Sequence, residues 1–123
     1  MTGAAEGRRF PRGSRLTNAG QFRRVFARAI RSSDRAFTLL ARDNGCGRAR
    51  LGLAISRKCA AHAVARNRIK RLVRESFRAA YITLPAIDIV VTCRPVVNHM
   101  TNEALTRVLA IHWQRLTKRC KKY

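Results

Sequence analysis

The stretch from Ala65 to Arg78, ARNRIKRLVRESFR, limits most strongly what this chain can fold into. We call it the basic stretch and place it on a helix at about 100° per residue. Its apolar stripe consists of Ile69, Leu72, Val73 and Phe77. The opposite face carries Asn67, Lys70, Arg71, Arg74 and Arg78, with Arg68 at its edge. The fold must therefore bury one side of this helix and leave a cationic side outside.

The cations on this face repel one another unless a polyanion neutralises them. A solvated surface helix is the alternative interpretation, but such helices usually mix both signs of charge, and only Glu75 is acidic here. The whole chain has 27 lysines and arginines against six acids, a net charge of +21. This excess favours nucleic acid as the partner. An anionic membrane surface is the rival, although no apolar run approaches the roughly 18 residues of a spanning helix.

Four cysteines, Cys46, Cys59, Cys93 and Cys120, lie far apart without a CxxC pair. Zinc sites normally contain close ligand pairs. The N-terminus lacks the apolar core of a secretory signal, which predicts a cytoplasmic protein in which disulfides are rare. We therefore interpret the cysteines as ordinary small residues.

A first helix is predicted to begin near Thr17 or Asn18, because Asn18 and Gln21 resemble a capping box. Its apolar stripe consists of Phe22, Val25, Phe26, Ala29 and Ile30, and Ser32–Ser33–Asp34 ends it. Phe22 and Phe26 either pack in the core or leave a ring edge for stacking on a base.

Alternating patterns predict strands over residues 36–42 and 50–57, paired as a hairpin. A buried strand over residues 87–92 follows the basic stretch, so strand–helix–strand implies two parallel strands. Thr101 or Asn102 caps a last helix. Its inner stripe consists of Leu105, Val108, Leu109, His112 and Leu116. The predicted order is α-β-β-α-β-α, an α+β sandwich with a small sheet.

The sequence gives little sign of catalytic chemistry in the polypeptide. Metal-dependent phosphodiester cleavage requires clustered carboxylates, and the six acids are scattered. His62, His99 and His112 fall in a connector, a loop and a core stripe. We therefore expect a binding protein with no catalytic residues and no metal site.

The basic stretch resembles the RNR signature of the bacterial ribonuclease P protein subunit. The resemblance continues in Arg15–Leu16 with the first helix, in the strand Leu51–Lys58, and in Asp88–Val91 with Arg94–Pro95. It covers roughly residues 14–117. The N-terminal arm and the last few residues lie outside it.

Residues 1–14 contain glycines, Pro11 and several arginines without periodicity, so we expect either a flexible basic arm that contacts RNA or a plain disordered terminus. A single RNA-binding domain over residues 15–119 and a basic tail over 120–123 are expected to follow.

The resemblance implies the family's sandwich with a left-handed βαβ crossover, although parallel crossovers are normally right-handed. The partners it implies are the catalytic RNA of ribonuclease P and precursor tRNA, whose 5′ leader the holoenzyme removes. Catalysis is expected to lie in the RNA with Mg²⁺, and the protein is expected to be monomeric in the complex. The catalytic-RNA contacts implied are Arg66, Arg68, Lys70, Arg71, Arg74 and Arg78, and Asn67 either contacts the RNA or holds the entry of the helix.

The family's leader-binding cleft lies between the first helix and the open face of the sheet. The resemblance assigns it Phe22, Phe26, Leu40, Arg57 and Lys58. Composition alone also allows a structural RNA-binding protein, such as a ribosomal protein. A stand-alone nuclease is disfavoured by the scattered acids.

Overall fold

A computed structural model describes residues 29–45 and 47–120, which form a four-stranded sheet and two long helices. The strands are β1 (Ile30–Ser33), β2 (Phe37–Asp43), β3 (Arg50–Leu53) and β4 (Ile87–Cys93). The helices are α1 (Ala63–Ala80) and α2 (Asn102–Cys120), and short 3-10 helices span Tyr81–Thr83 and Pro95–His99. The predicted α+β class is confirmed, and α1 contains the whole basic stretch.

The strands lie in the order β1-β2-β4-β3. β4 is antiparallel to β2 and parallel to β3, so the β3-α1-β4 unit is confirmed and the hairpin predicted between β2 and β3 is wrong. β4 lies between β2 and β3 and is buried at every position from Ile87 to Val91. Gly45 and Gly47, at φ 66° and 80°, allow the turn between β2 and β3. The left-handed sense of the crossover stays a prediction.

The segment Ile30–Ser33 forms β1 and pairs antiparallel with β2, so the predicted helix is wrong at its C-terminal end. Backbone pairing with β2 overrides the helical spacing of these few residues. Asp34 then reverses the chain, since its Oδ1 accepts the N–H groups of Ala36 at 2.9 Å and Phe37 at 2.8 Å. Residues 18–28 of that predicted helix, including its capping pair and both phenylalanines, lie outside the described residues.

The main core lies between one face of the sheet and the two helices. Its fully buried helical side chains are Ile69, Val73 and Phe77 of α1 with Leu105, Leu109, His112 and Leu116 of α2. They pack with sheet residues that include Leu39 and Ile89. Both predicted stripes are confirmed, with Leu72 and Val108 half-buried at their margins. The Thr101 hydroxyl accepts the Ala104 N–H at 3.1 Å, which confirms the predicted cap of α2.

β3 ends at Leu53, earlier than predicted, and the chain turns at Ser56, whose carbonyl accepts the Cys59 N–H at 3.1 Å. This turn brings Cys59 against the end of β4, where it forms a disulfide with Cys93 at a Cα–Cα distance of 5.8 Å. Our interpretation of these two cysteines as unpaired is therefore wrong. Parallel pairing of β3 and β4 places the chain after β3 beside the end of β4, although the two cysteines are 34 residues apart. Cys120 is free and buried, as expected for a small core residue.

Candidate nucleic-acid interface

The outer face of α1, defined by Asn67, Lys70, Arg71, Arg74 and Arg78, carries uncompensated positive charge. Asn67, Arg71 and Arg74 are exposed, and Lys70 and Arg78 are half-buried. Within residues 29–45 and 47–120, no side-chain hydrogen bond or ion pair involves Lys70, Arg71 or Arg74. Glu75 is exposed and forms no ion pair with them. These cations are therefore available to an external anion.

The ends of α1 add to this charge. The first turn contains no acidic residue, and the N-cap His62 makes no side-chain capping bond, so the positive end of the helix dipole is not offset there. Arg78 lies in the last turn, where a cation is favourable. Its Nε is buried without a hydrogen-bond partner in the described part of the chain. The helix thus presents positive potential from its start to its last turn.

Arg66 and Arg68, also predicted as RNA contacts, have protein partners. Arg66 Nη1 donates to the carbonyls of Ala60 at 3.0 Å and Ala61 at 2.9 Å. Arg68 donates through Nε to Asn102 Oδ1 at 3.0 Å, through Nη1 to the Val97 carbonyl at 3.4 Å, and through Nη2 to the Met100 carbonyl at 2.6 Å. The predicted RNA contacts therefore fall into two groups, cations that bond the protein and cations without a protein partner.

The described residues among those predicted to bind a leader lie away from the outer face of α1. Leu40 is in β2 on the sheet face opposite the helices, where it packs with Val90 and Ala54 in a small second cluster. Gly52 is the β3 partner of Val90 on this face, so no side chain from β3 projects beside Val90. Arg57 and Lys58 are exposed in the turn after β3. Phe22 and Phe26 lie outside the described residues.

The acid on this second sheet face is neutralised by the protein. Asp88 is 4% exposed, and its carboxylate accepts two bonds from Arg50, at 2.7 Å from Nε and 2.8 Å from Nη2. Asn44 Nδ2 donates to the same carboxylate at 2.8 Å. The bidentate pair compensates a charge that would otherwise repel an anionic strand. Sequence reasoning missed it because Arg50 and Asp88 are opposite each other only in the β3–β4 register.

A serine, a histidine and an aspartate meet in the core, but they join structural elements. Ser32 Oγ lies 2.7 Å from His112 Nδ1, and Asp34 Oδ1 lies 3.4 Å from His112 Nε2. Burial lowers the pKa of His112, and Asp34 opposes part of this effect. Burial raises the pKa of Asp34, but hydrogen bonds from backbone N–H groups leave it below its ordinary value. Ser32 and His112 are 3% and 0% exposed, so substrate has no access and the prediction of a core histidine is confirmed.

Two further findings concern the kind of partner that this part of the chain can take. Among residues 29–45 and 47–120, no three histidine, cysteine, aspartate or glutamate side chains are grouped so that they could hold a metal ion. In the same ranges, neither helix is long and apolar enough to cross a membrane. The features that point to a ligand are the uncompensated cations of α1 and the exposed Arg57 and Lys58.

Comparison with known proteins gives the same family at the level of sequence and of structure. A family profile described as Ribonuclease P matches residues 10–117. The chain is 51% identical over 111 residues to the ribonuclease P protein component of Thioalkalivibrio sulfidiphilus, which covers 90% of this chain and 92% of that protein. It is 50% identical over 115 residues to that of Methylococcus capsulatus, with 94% and 90% covered.

Solved structures show the same fold. The RNase P protein of Staphylococcus aureus superposes with a TM-score of 0.77 at 28% identity, over 85% of this chain and 95% of that one. The RNase P protein of Thermotoga maritima superposes with a TM-score of 0.74 at 30% identity, over 82% and 96%. The resemblance seen in the sequence is confirmed over its whole extent. The chain therefore belongs to the bacterial ribonuclease P protein family, whose members are subunits of a tRNA-processing endoribonuclease and partners of its RNA.

Proposed function

We propose that this chain binds the catalytic RNA of ribonuclease P directly through the outer face of α1. The observation that carries the proposal is the absence, in the described part of the chain, of any protein partner for Lys70, Arg71 and Arg74. Lysine and arginine neutralise phosphates, and each such contact releases condensed counterions. Asn67 and Arg78 lie on the same face and extend the contact along the helix.

The 5′ leader of precursor tRNA binds the second sheet face in this proposal. Leu40 and the small side chains around Val90 form its floor, Arg57 and Lys58 supply cations near its end, and Phe22 and Phe26 supply stacking surfaces. Single strands are held by basic grooves with aromatic platforms, largely without sequence preference. Compensation of Asp88 by Arg50 removes a repulsive charge from this face.

Bond cleavage is assigned to the RNA, with Mg²⁺ bound by the RNA. The polypeptide reduces electrostatic repulsion between two RNAs and holds the substrate in place. It acts as a monomer in the ribonucleoprotein, in the cytoplasm. By favouring the assembled substrate complex, the protein raises Mg²⁺ occupancy without supplying a ligand.

Reconstitution tests the proposal. Precursor tRNA is incubated with the protein alone, with the organism's own catalytic RNA alone, and with both, at low Mg²⁺ concentration. We expect cleavage at the 5′ end of the mature tRNA only when both are present. Equal cleavage by the protein without RNA would contradict the proposal, and so would an unchanged rate when protein is added to the RNA.

A further inference from the structure

Two connecting segments flank the start of α1, and hydrogen bonds fasten both to it. The first is the 57–62 turn, which carries Arg57 and Lys58. The second is the 95–102 segment, between the end of β4 and the start of α2. Arg66 bonds the first segment at the carbonyls of Ala60 and Ala61. Arg68 bonds the second at three acceptors.

The two segments are also bonded to each other. Asn98 Nδ2 donates to the Cys59 carbonyl at 2.8 Å and to the Pro95 carbonyl at 2.9 Å. The Cys59–Cys93 disulfide joins the 57–62 turn to the end of β4. A continuous set of bonds therefore leads from Arg68, through the 95–102 segment and Asn98, to the turn that carries Arg57 and Lys58.

We propose that Arg66 and Arg68 are positioning residues whose bonds to the protein fix the 57–62 turn relative to the outer face of α1. This inference rests on the proposed function, in which that face binds the catalytic RNA and the turn binds the leader. A fixed geometry between the two sites fixes the leader relative to the catalytic RNA. The phosphate contacts then come from Lys70, Arg71 and Arg74.

The chemistry of Arg68 separates this role from phosphate binding. Its acceptors belong to three residues, Val97, Met100 and Asn102, and a planar guanidinium reaches all three with separate N–H groups. A lysine keeps the charge but has one ammonium on a flexible stem and cannot reproduce this fork. Phosphate accepts either cation. A lysine at position 68 therefore preserves a phosphate contact and breaks a positioning contact.

The test measures how strongly the reconstituted holoenzyme prefers leader-bearing precursor tRNA over mature tRNA, as a ratio of dissociation constants. Arg68→Ala and Arg68→Lys should each reduce this preference by about 3- to 10-fold. Alanine loses all three guanidinium hydrogen bonds to the 95–102 segment, and lysine cannot form all three. At position 71, Arg71→Lys should recover most of the catalytic-RNA affinity that Arg71→Ala loses. Arg107→Lys, an exposed site on α2, is the matched control and should leave the preference unchanged.

Asn98→Ala is a second variant that changes no charge and leaves Arg68 in place. It removes both bonds of the Asn98 amide and should also reduce the preference for the leader, while circular dichroism reports an intact fold. If Arg68→Lys restores the preference lost in Arg68→Ala, or if Asn98→Ala keeps the full preference, the inference is wrong. Failure of the proposed function gives a different result, since Arg71→Ala would then leave catalytic-RNA affinity unchanged.

Discussion

The two long helices are similar in length and packing but differ on their outer sides. α1 has 18 residues and α2 has 19, and each packs an apolar stripe against the same face of the sheet. On the outer side of α2, the exposed Arg119 guanidinium donates to the Arg31 carbonyl. The cations at the centre of the outer face of α1 have no such partners among the described residues. Arg107 and Arg115 of α2 also form no hydrogen bond or ion pair within the described residues, so neither an amphipathic pattern nor the lack of a protein partner alone distinguishes a packing helix from a binding helix.

The two helices also differ in where their exposed cations lie. On α2, Arg107 is separated from the other exposed cations, and Arg115, Lys118 and Arg119 lie together at the C-terminal end, where the helix dipole favours positive charge. On α1, Lys70, Arg71 and Arg74 fall within two turns of one face. We therefore expect changes in α2 to alter mainly stability, and changes on the outer face of α1 to alter mainly RNA affinity.

Reduction of the Cys59–Cys93 disulfide should have the largest effect on stability, because the bridge closes a 34-residue loop that contains all of α1 and none of α2. The chain entropy of a loop of this length corresponds to about 4 kcal/mol. Urea unfolding with and without dithiothreitol measures the loss. A variant with serine at both positions should not respond to the reductant. Equal unfolding free energies for the wild type in both conditions would show that the bridge does not stabilise α1.

Leu109→Ala tests whether α2 contributes mainly to stability. Leu109 is fully buried, so the truncation should lower the free energy of unfolding by about 3 kcal/mol. Ile111→Ala, on the same helix at a position 45% exposed, is the control and should cost less than about 1 kcal/mol. Catalytic-RNA affinity of the folded Leu109→Ala protein should equal that of the wild type. A selective loss of RNA affinity without a loss of stability would contradict the expectation that α2 contributes mainly to stability.

The double variant Arg71→Ala with Arg74→Ala tests whether the outer face of α1 contributes to RNA affinity and little to stability. The dependence of log affinity for catalytic RNA on log salt concentration should flatten by about 0.7–0.9 per lost phosphate contact. The free energy of unfolding should change by less than about 0.5 kcal/mol, since neither side chain has a protein partner in the described part of the chain. Arg107→Ala with Arg115→Ala on α2 removes the same charge and should flatten the slope less. Equal slopes for both double variants would mean that the outer face of α1 is not the contact surface.

The smallest expected effect is a pH dependence of stability that comes from α2. Burial lowers the pKa of His112 below its ordinary value of 6.5, with Arg115 acting in the same direction and Asp34 against it. The unfolded chain then binds a proton at a higher pH than the folded chain, so the free energy of unfolding should fall as the pH decreases below about 6.5. His112→Gln should lack this component. The pKa of Asp34 is also lowered, so its contribution is lost only at lower pH, below its ordinary 3.8.

Local patterns predicted the elements whose side chains repeat along the chain. Helical spacing predicted both ends of α1 to within two residues, and the cap at Thr101 predicted the start of α2. The apolar run at Ile87–Thr92 gave β4. These features depend on neighbours within a few residues, so a single sequence contains the information.

Pairings between distant residues could not be predicted in this way. Insertion of β4 between β2 and β3 depends on how three strands compete for partners, and the Cys59–Cys93 bridge follows from that insertion. The bonds from Arg68 to residues 97–102 span about thirty positions along the chain, and no repeating pattern in the sequence indicates them. The sequence therefore located the cations of α1 but did not show which of them bond the protein.

The most direct test of the RNA-binding face is a cryo-electron microscopy structure of this chain bound to the organism's catalytic RNA. We predict phosphate oxygens within about 3 Å of Arg71 and Arg74, the range of charge-assisted hydrogen bonds. Lys70 should approach the same strand, and Arg68 should keep its bonds to the 95–102 segment. A complex in which these side chains face solvent, with the RNA on α2 instead, would contradict the account.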